Sequence, residues 1–199
     1  MTEPLVSDED LPTLIRELTC GDDGRAEVAA LTLGTRGCNA VPYLEPLLAD
    51  PTSDRRWWMA RALGQLRCEK ASQLLIGLLN DPDADVRACA AFALGEAQVE
   101  SAVLPLAQAL NDSSVYVSAM AADALARIGT ASVPILIDRL RNGTPLERVR
   151  AAKALLTILD SRSIPALIAA LDDESPVVEH YATEALTRLG VGTVLLKPK

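Results

Sequence analysis

Six leucines, Leu33, Leu63, Leu94, Leu125, Leu155 and Leu186, recur at intervals of 30 or 31 residues, and all but the first follow an alanine. A second series, Leu18, Leu48, Leu79, Leu110, Leu140 and Leu171, keeps the same intervals and runs 15 residues ahead of the first. A period of this length marks one supersecondary unit copied along the chain, and each copy can bury its apolar face only by stacking on its neighbours. The repeat covers nearly all of the 199 residues, so a single array is expected. Its units fall at about 8–36, 37–67, 68–98, 99–129, 130–160 and 161–190, with 191–199 as a C-terminal cap or tail.

The third unit shows what is being copied. Leu74, Leu75, Leu78 and Leu79 form the stripe of a one-sided helix, here termed helix A. Asn80-Asp81-Pro82-Asp83 is a turn whose carboxylates can cap the following helix. Helix B then reads from Val86 to Gly95, with alanines at 90, 91 and 93 that recur at 121, 122 and 124 and at 151, 152 and 154. Leu11-Pro12, Val41-Pro42, Val133-Pro134 and Ile164-Pro165 open A helices, because proline in the first turn forfeits no helical hydrogen bond. Pro46 falls inside the second A helix and predicts a distortion there. The fold class that follows is all-α, an α-solenoid of about six helix pairs.

Apolar residues make up 49% of the chain but aromatics only 3%, so Ala, Leu, Val and Ile must build the core. A net charge of −8 is a poor match for nucleic acid, whose binding rests on Lys and Arg neutralising phosphates. Nothing at the N-terminus has the pattern of a signal peptide and no apolar run reaches membrane-spanning length, so a cytoplasmic protein with no membrane partner is expected. The four cysteines, Cys20, Cys38, Cys68 and Cys89, lack metal-site spacing. Cys38 and Cys68 occupy the same slot of successive units. At an interhelix spacing of about 8–10 Å they are expected to stay reduced.

The VRACAAFALG-type helix B, with Asp81 six residues before Arg87 and the same pair at Asp50 and Arg56, resembles the HEAT-repeat family, in particular the phycobilisome-lyase HEAT-like repeat. The resemblance covers almost the whole chain and implies a hydrogen-bonded ladder of these Asp and Arg positions, linking successive turns. Asn142 with Arg148 softens the pattern, and it is expected to lapse where Asp112 faces Ser118, Asp173 faces Glu179 and Cys20 faces Ala26.

The resemblance also implies that the B helices line a concave inner face. Relative to the repeated leucine, positions −6, −5, −2 and +2 are expected to point outward. They hold both tryptophans, the phenylalanine, one tyrosine and the histidine of this aromatic-poor chain. Clustered exposed aromatics mark binding surfaces, so Trp57, Trp58, Arg61, Phe92, Met120, Arg127, Arg150, Lys153, His180 and Tyr181 form the candidate site. The alternative is that the two tryptophans merely plug a groove between units. The 24 outward positions sum to +1, grading from aromatic in the second unit to basic in the sixth.

Of the enzymes in the family, the di-iron hydroxylases need paired His-Glu steps, and His180 is the one histidine here. No metal or other cofactor and no catalytic residue is expected. The leading expectation is a non-enzymatic scaffold that binds a protein or peptide on the concave face. The alternative is a phycobilin lyase or chromophore-detaching subunit, in which Trp57, Trp58, Arg61 and Phe92 would hold the tetrapyrrole. Val194-Leu195-Leu196 suggests either a flap closing the stack or an edge for self-association.

Overall fold

The computed structural model describes residues 11–191, and every regular element among them is helical. The chain forms two compact units, Met1–Ala97 and Gln98–Lys199. In the first, the A/B pairs are α1 (Leu11–Leu18) with α2 (Asp23–Gly34), α3 (Val41–Leu44) with α4 (Ser53–Leu66), and α5 (Glu69–Leu78) with α6 (Ala84–Glu96). In the second they are α7 (Val103–Ala109) with α8 (Val115–Ile128), α9 (Val133–Asn142) with α10 (Pro145–Ile158), and α11 (Ile164–Ala169) with α12 (Pro176–Arg188). Partners pack within each pair, and successive B helices pack on one another, α2 on α4 on α6 and α8 on α10 on α12. This is an all-α fold of the α-solenoid class. Val194-Leu195-Leu196 lies outside the described residues.

Local chemistry sets the helix limits. Asp22, Asp83 and Ser114 accept backbone N–H bonds at the starts of α2, α6 and α8, and Thr144 with Glu147 forms a capping box on α10. Pro42, Pro134 and Pro165 lie in the first turns of α3, α9 and α11. Four residues after each repeated leucine the backbone turns to positive φ, at Gly37, Arg67, Gln98, Gly129, Leu159 and Gly190. Only half of these positions use glycine, the residue that adopts such a turn without steric cost. The distortion expected at Pro46 is a change of helix type: α3 ends at Leu44 and the chain continues as a 3-10 helix over Glu45–Ala49.

All six leucines of the B series are buried, none more than 2% exposed. In the A series Leu18, Leu79, Leu110 and Leu140 are buried, whereas Leu48 and Leu171 are only half-buried. Both of the latter stand in 3-10 segments, Glu45–Ala49 and Ala170–Asp172. The tighter winding rotates them off the stripe that an α-helix would bury. The B helices of the first unit approach closely at glycines. A Cβ on Gly34 would lie 2.8 Å from the Gln65 Cβ, and one on Gly64 would lie 2.8 Å from the Ala93 Cβ. Residues 115–142 are apolar enough and long enough to resemble a membrane span. They are two helices, α8 and α9, parted at Gly129 with φ +80°.

The Asp/Arg ladder forms with a one-repeat offset. Arg56 donates from Nε and Nη2 to the Asp81 carboxylate of the following repeat at 2.7 and 2.8 Å, and from Nη1 to the Asp50 carbonyl at 2.9 Å. Arg148 reaches Asp173 in the same way, at 2.8 and 3.2 Å. The sequence expectation that Asp173 drops out of the ladder is therefore corrected. In both rungs the aspartate is served by the arginine of the preceding repeat, so Glu179 in the repeat of Asp173 does not matter, whereas the Asp50 carboxylate is bonded by Arg55 of its own repeat at 3.2 Å.

The cysteine expectation is also corrected, because Cys38 and Cys68 form a disulfide with their Cα atoms 5.9 Å apart. Neither lies on a packed helical face. Cys38 sits in the 3-10 turn Gly37–Ala40, and Cys68 is the residue before α5. The 5.9 Å between these two turn residues is well inside the roughly 8–10 Å that separates the axes of packed helices. Cys20 and Cys89 are free.

Candidate functional site on the B-helix face

The outward positions of the B helices divide into two kinds. No residue at −2 or +2 is buried: Leu31 is 50% and Phe92 40% exposed, Glu96, Arg127 and Arg188 are exposed as well, and Arg61, Gln65, Asp123, Lys153 and Glu184 are half-buried. Positions −5 and −6 lie at the two borders of the outward arc, where neighbouring B helices meet. The Cys89 thiol at −5 of α6 donates to the Trp57 carbonyl at −6 of α4, 3.8 Å away. Position −5 thus reaches back toward the preceding repeat. That corrects the expectation for Trp58, which occupies −5 of α4 and is only 7% exposed. Its ring packs edge-to-face on the half-buried Trp57, with centroids 4.8 Å apart. In the first repeat the same position holds Val28, 64% exposed.

Between α4 and α6 lies a cleft of about 200 Å³. Arg61 and Arg67 stand on its α4 side, Phe92 and Glu96 on its α6 side, and Gly64 and Cys89 form its floor. The missing Gly64 side chain lets the two helices close at that point. Burial pushes the Cys89 thiol up to about 12, so the floor is a neutral S–H rather than a nucleophile. Arg61 forms a two-pronged ion pair with Glu27 of α2. Its charge is therefore engaged before any ligand arrives. Phe92 is an exposed side chain on the wall of this cleft, whereas the exposed Val28 and Leu31 stand on α2, Val28 in a separate cleft with Leu14 of α1. Val28 and Leu31 lay on the predicted outward positions, but being aliphatic they carried no aromatic signal.

The second unit gathers the other candidates. Lys153 on α10 pairs with Asp123 on α8 at 3.0 Å, and Arg150 donates to the Val115 carbonyl at 3.2 Å. Both ties run between successive repeats. His180 is exposed, 3.7 Å from Glu184 and with its ring centroid 5.7 Å from that of the half-buried Tyr181. Glu184 is also bonded to Arg188 at 2.5 Å. Met120 is half-buried on α8. The exposed Val115 and Tyr116 at the start of α8 were not anticipated, since they precede the four positions read from the repeat. Among the described residues no three His, Cys, Asp or Glu side chains group as metal ligands.

Comparison with known proteins places this geometry. The HEAT-repeat pattern matches residues 11–88 and 71–148, and the PBS lyase HEAT-like repeat matches residues 147–173. No curated protein sequence matches the chain. Among solved structures, YibA of E. coli is 24% identical, with a TM-score of 0.62 over 98% of this chain and 80% of that one. The complex of CpcE and CpcF of phycocyanin lyase from Nostoc sp. PCC7120 is 24% identical, with a TM-score of 0.54 over 96% and 79%. A designed armadillo repeat protein in complex with the peptide (KR)4 is 19% identical, with a TM-score of 0.50 over 90% and 99%. These likenesses are of fold.

Proposed function

The chain belongs to the HEAT-repeat family, and we propose on that premise that it is a non-enzymatic scaffold whose B-helix face in the first unit binds a protein or peptide segment. The observation that carries this reading is Phe92, a large aromatic side chain 40% exposed on the wall of the cleft, with the apolar Val28 and Leu31 also exposed on α2 of the same unit. Isolated exposed aliphatics are ordinary, but an exposed aromatic side chain on the wall of a concavity favours a binding surface. The size of the cleft favours a macromolecular partner. At about 200 Å³ it falls below the roughly 300–1,000 Å³ of small-molecule pockets. The neutral thiol on its floor and the pre-paired Arg61 offer little chemistry for a reaction. The size of the cleft and the engagement of Arg61 weigh against a tetrapyrrole, which would need more room and more than the remaining Arg67 for its carboxylates.

A peptide-display selection against the folded chain tests the proposal. Selected peptides are expected to bind Phe92→Ala and Leu31→Asp at least tenfold more weakly, while both variants melt within a few degrees of the parent. Peptides that bind all three proteins equally would place the site elsewhere. Incubation with free bilin provides the contrasting result, since a covalent or tightly held chromophore would replace the scaffold reading with the lyase one.

A further inference from the structure

We propose that the Cys38–Cys68 pair is a reversible thiol–disulfide latch that fixes the rim of the α4/α6 cleft. This deepens the reading above, because the cleft it controls is the one proposed to take a peptide.

The placement of the two cysteines carries the argument. Cys68 directly follows Arg67, a cleft residue that ends α4 in a left-handed turn, and directly precedes α5. Cys38 lies four residues beyond the end of α2, in the turn that enters the next repeat. The bond therefore ties the rim of the cleft to the turn that opens the repeat containing α4, and its 30-residue loop encloses the whole of α3 and α4. Of the cleft's two walls, α4 is held covalently at its C-terminal end and α6 is not.

Accessibility makes the bond exchangeable. Cys38 is exposed and Cys68 half-buried, so a small external thiolate attacks the Cys38 sulfur. The S–S bond breaks, its electron pair leaves with Cys68 as a thiolate, and a mixed disulfide forms on Cys38. Negative charge on the departing sulfur is favoured by its place at the N-terminus of the ten-residue α5. A second thiolate attacks the external sulfur of the mixed disulfide, releasing the Cys38 thiolate and the oxidised small molecule. Two thiols have then been oxidised and one protein disulfide reduced, with protons taken up from water. The buried Cys89 thiol stays protonated and does not compete.

The test equilibrates the full chain in glutathione buffers from fully oxidised to fully reduced. Titration of thiols after denaturation should rise from two to four across the series. Amide hydrogen exchange at residues 64–71 should quicken at least tenfold on reduction, with the centre of α6 changed far less. Cys38→Ser and Cys68→Ser should exchange like the reduced parent at every glutathione ratio, and the affinity of a display-selected peptide should fall on reduction. Four thiols even in oxidised glutathione, or unchanged exchange on reduction, would overturn the latch. Faster exchange without any peptide binding would leave the latch standing and remove the binding reading instead.

Discussion

Arg56 and Asp81 are each 8% exposed, and together they join the second and third repeats. Replacing Arg56 with methionine keeps most of the side-chain volume and removes three donors, leaving the Asp81 carboxylate buried with the Asp83 amide, 2.8 Å away, as a remaining partner. Breaking a buried pair from one side costs about 3–5 kcal/mol. The surviving amide bond puts this case at the low end, near 3 kcal/mol. Asp81→Asn strands Arg56 less severely, because the Asp50 carbonyl still accepts from it, and about 2 kcal/mol is expected. The double variant strands no charge, so its cost should fall short of the sum of the singles by about 2 kcal/mol. Urea denaturation followed by far-UV circular dichroism measures all three.

The same pair gives a pH signature. Burial raises the Asp81 carboxyl, but hydrogen bonds from Arg56 and the Asp83 amide outweigh it and hold the group below its usual 3.8. A group whose folded value is depressed contributes stability above its unfolded value and loses it as pH falls through the folded one. The parent should therefore lose this contribution only below pH 3.8. In Arg56→Met burial acts with less opposition, so Asp81 takes up its proton at a higher pH and relieves the penalty. The stability gap between parent and variant should narrow from pH 7 to pH 4. Additive single costs, or a gap constant with pH, would refute the assignment of the pair as a coupled buried contact.

Two substitutions separate packing from binding on the same helix. Trp58→Ala should cost about 3–5 kcal/mol, as buried aromatics do, and Trp57→Ala clearly less; equal melting temperatures would show that Trp58 is not a core residue. Gly64→Ala should lower the melting temperature although alanine is the better helix former by about 1 kcal/mol, because its Cβ would meet the Ala93 Cβ at 2.8 Å. A rise in melting temperature would mean that α4 and α6 can separate without cost.

The leucine period made the helix pairs and the B-helix core legible, since a stripe that must be buried in every copy leaves its mark on every copy. What it could not carry was asymmetry between the two borders of a helix face. Trp58 and Phe92 look alike on a helical wheel, both pointing away from Leu63 and Leu94. One is covered because it faces the repeat behind it, and the other is open because it stands at the centre of the arc. The cysteine pair was missed for a related reason. The axis-to-axis spacing of packed helices does not govern Cys38 and Cys68, which stand in turns. Leu48 kept the period and lost its burial, because Pro46 makes a 3-10 segment of the residues around it.

The backward reach of position −5 changes what counts as a module in this chain. Cys89 belongs by sequence to the third repeat, yet it bonds to Trp57 in the second; Arg61 and Lys153 likewise complete their ion pairs one repeat upstream. The portable piece of surface is thus the seam between two B helices rather than a repeat. A chimera that exchanges one repeat at its loops would import half of each of two seams and reproduce neither. Grafting this face onto another array requires at least two consecutive repeats, with the donor's earlier helix carried along.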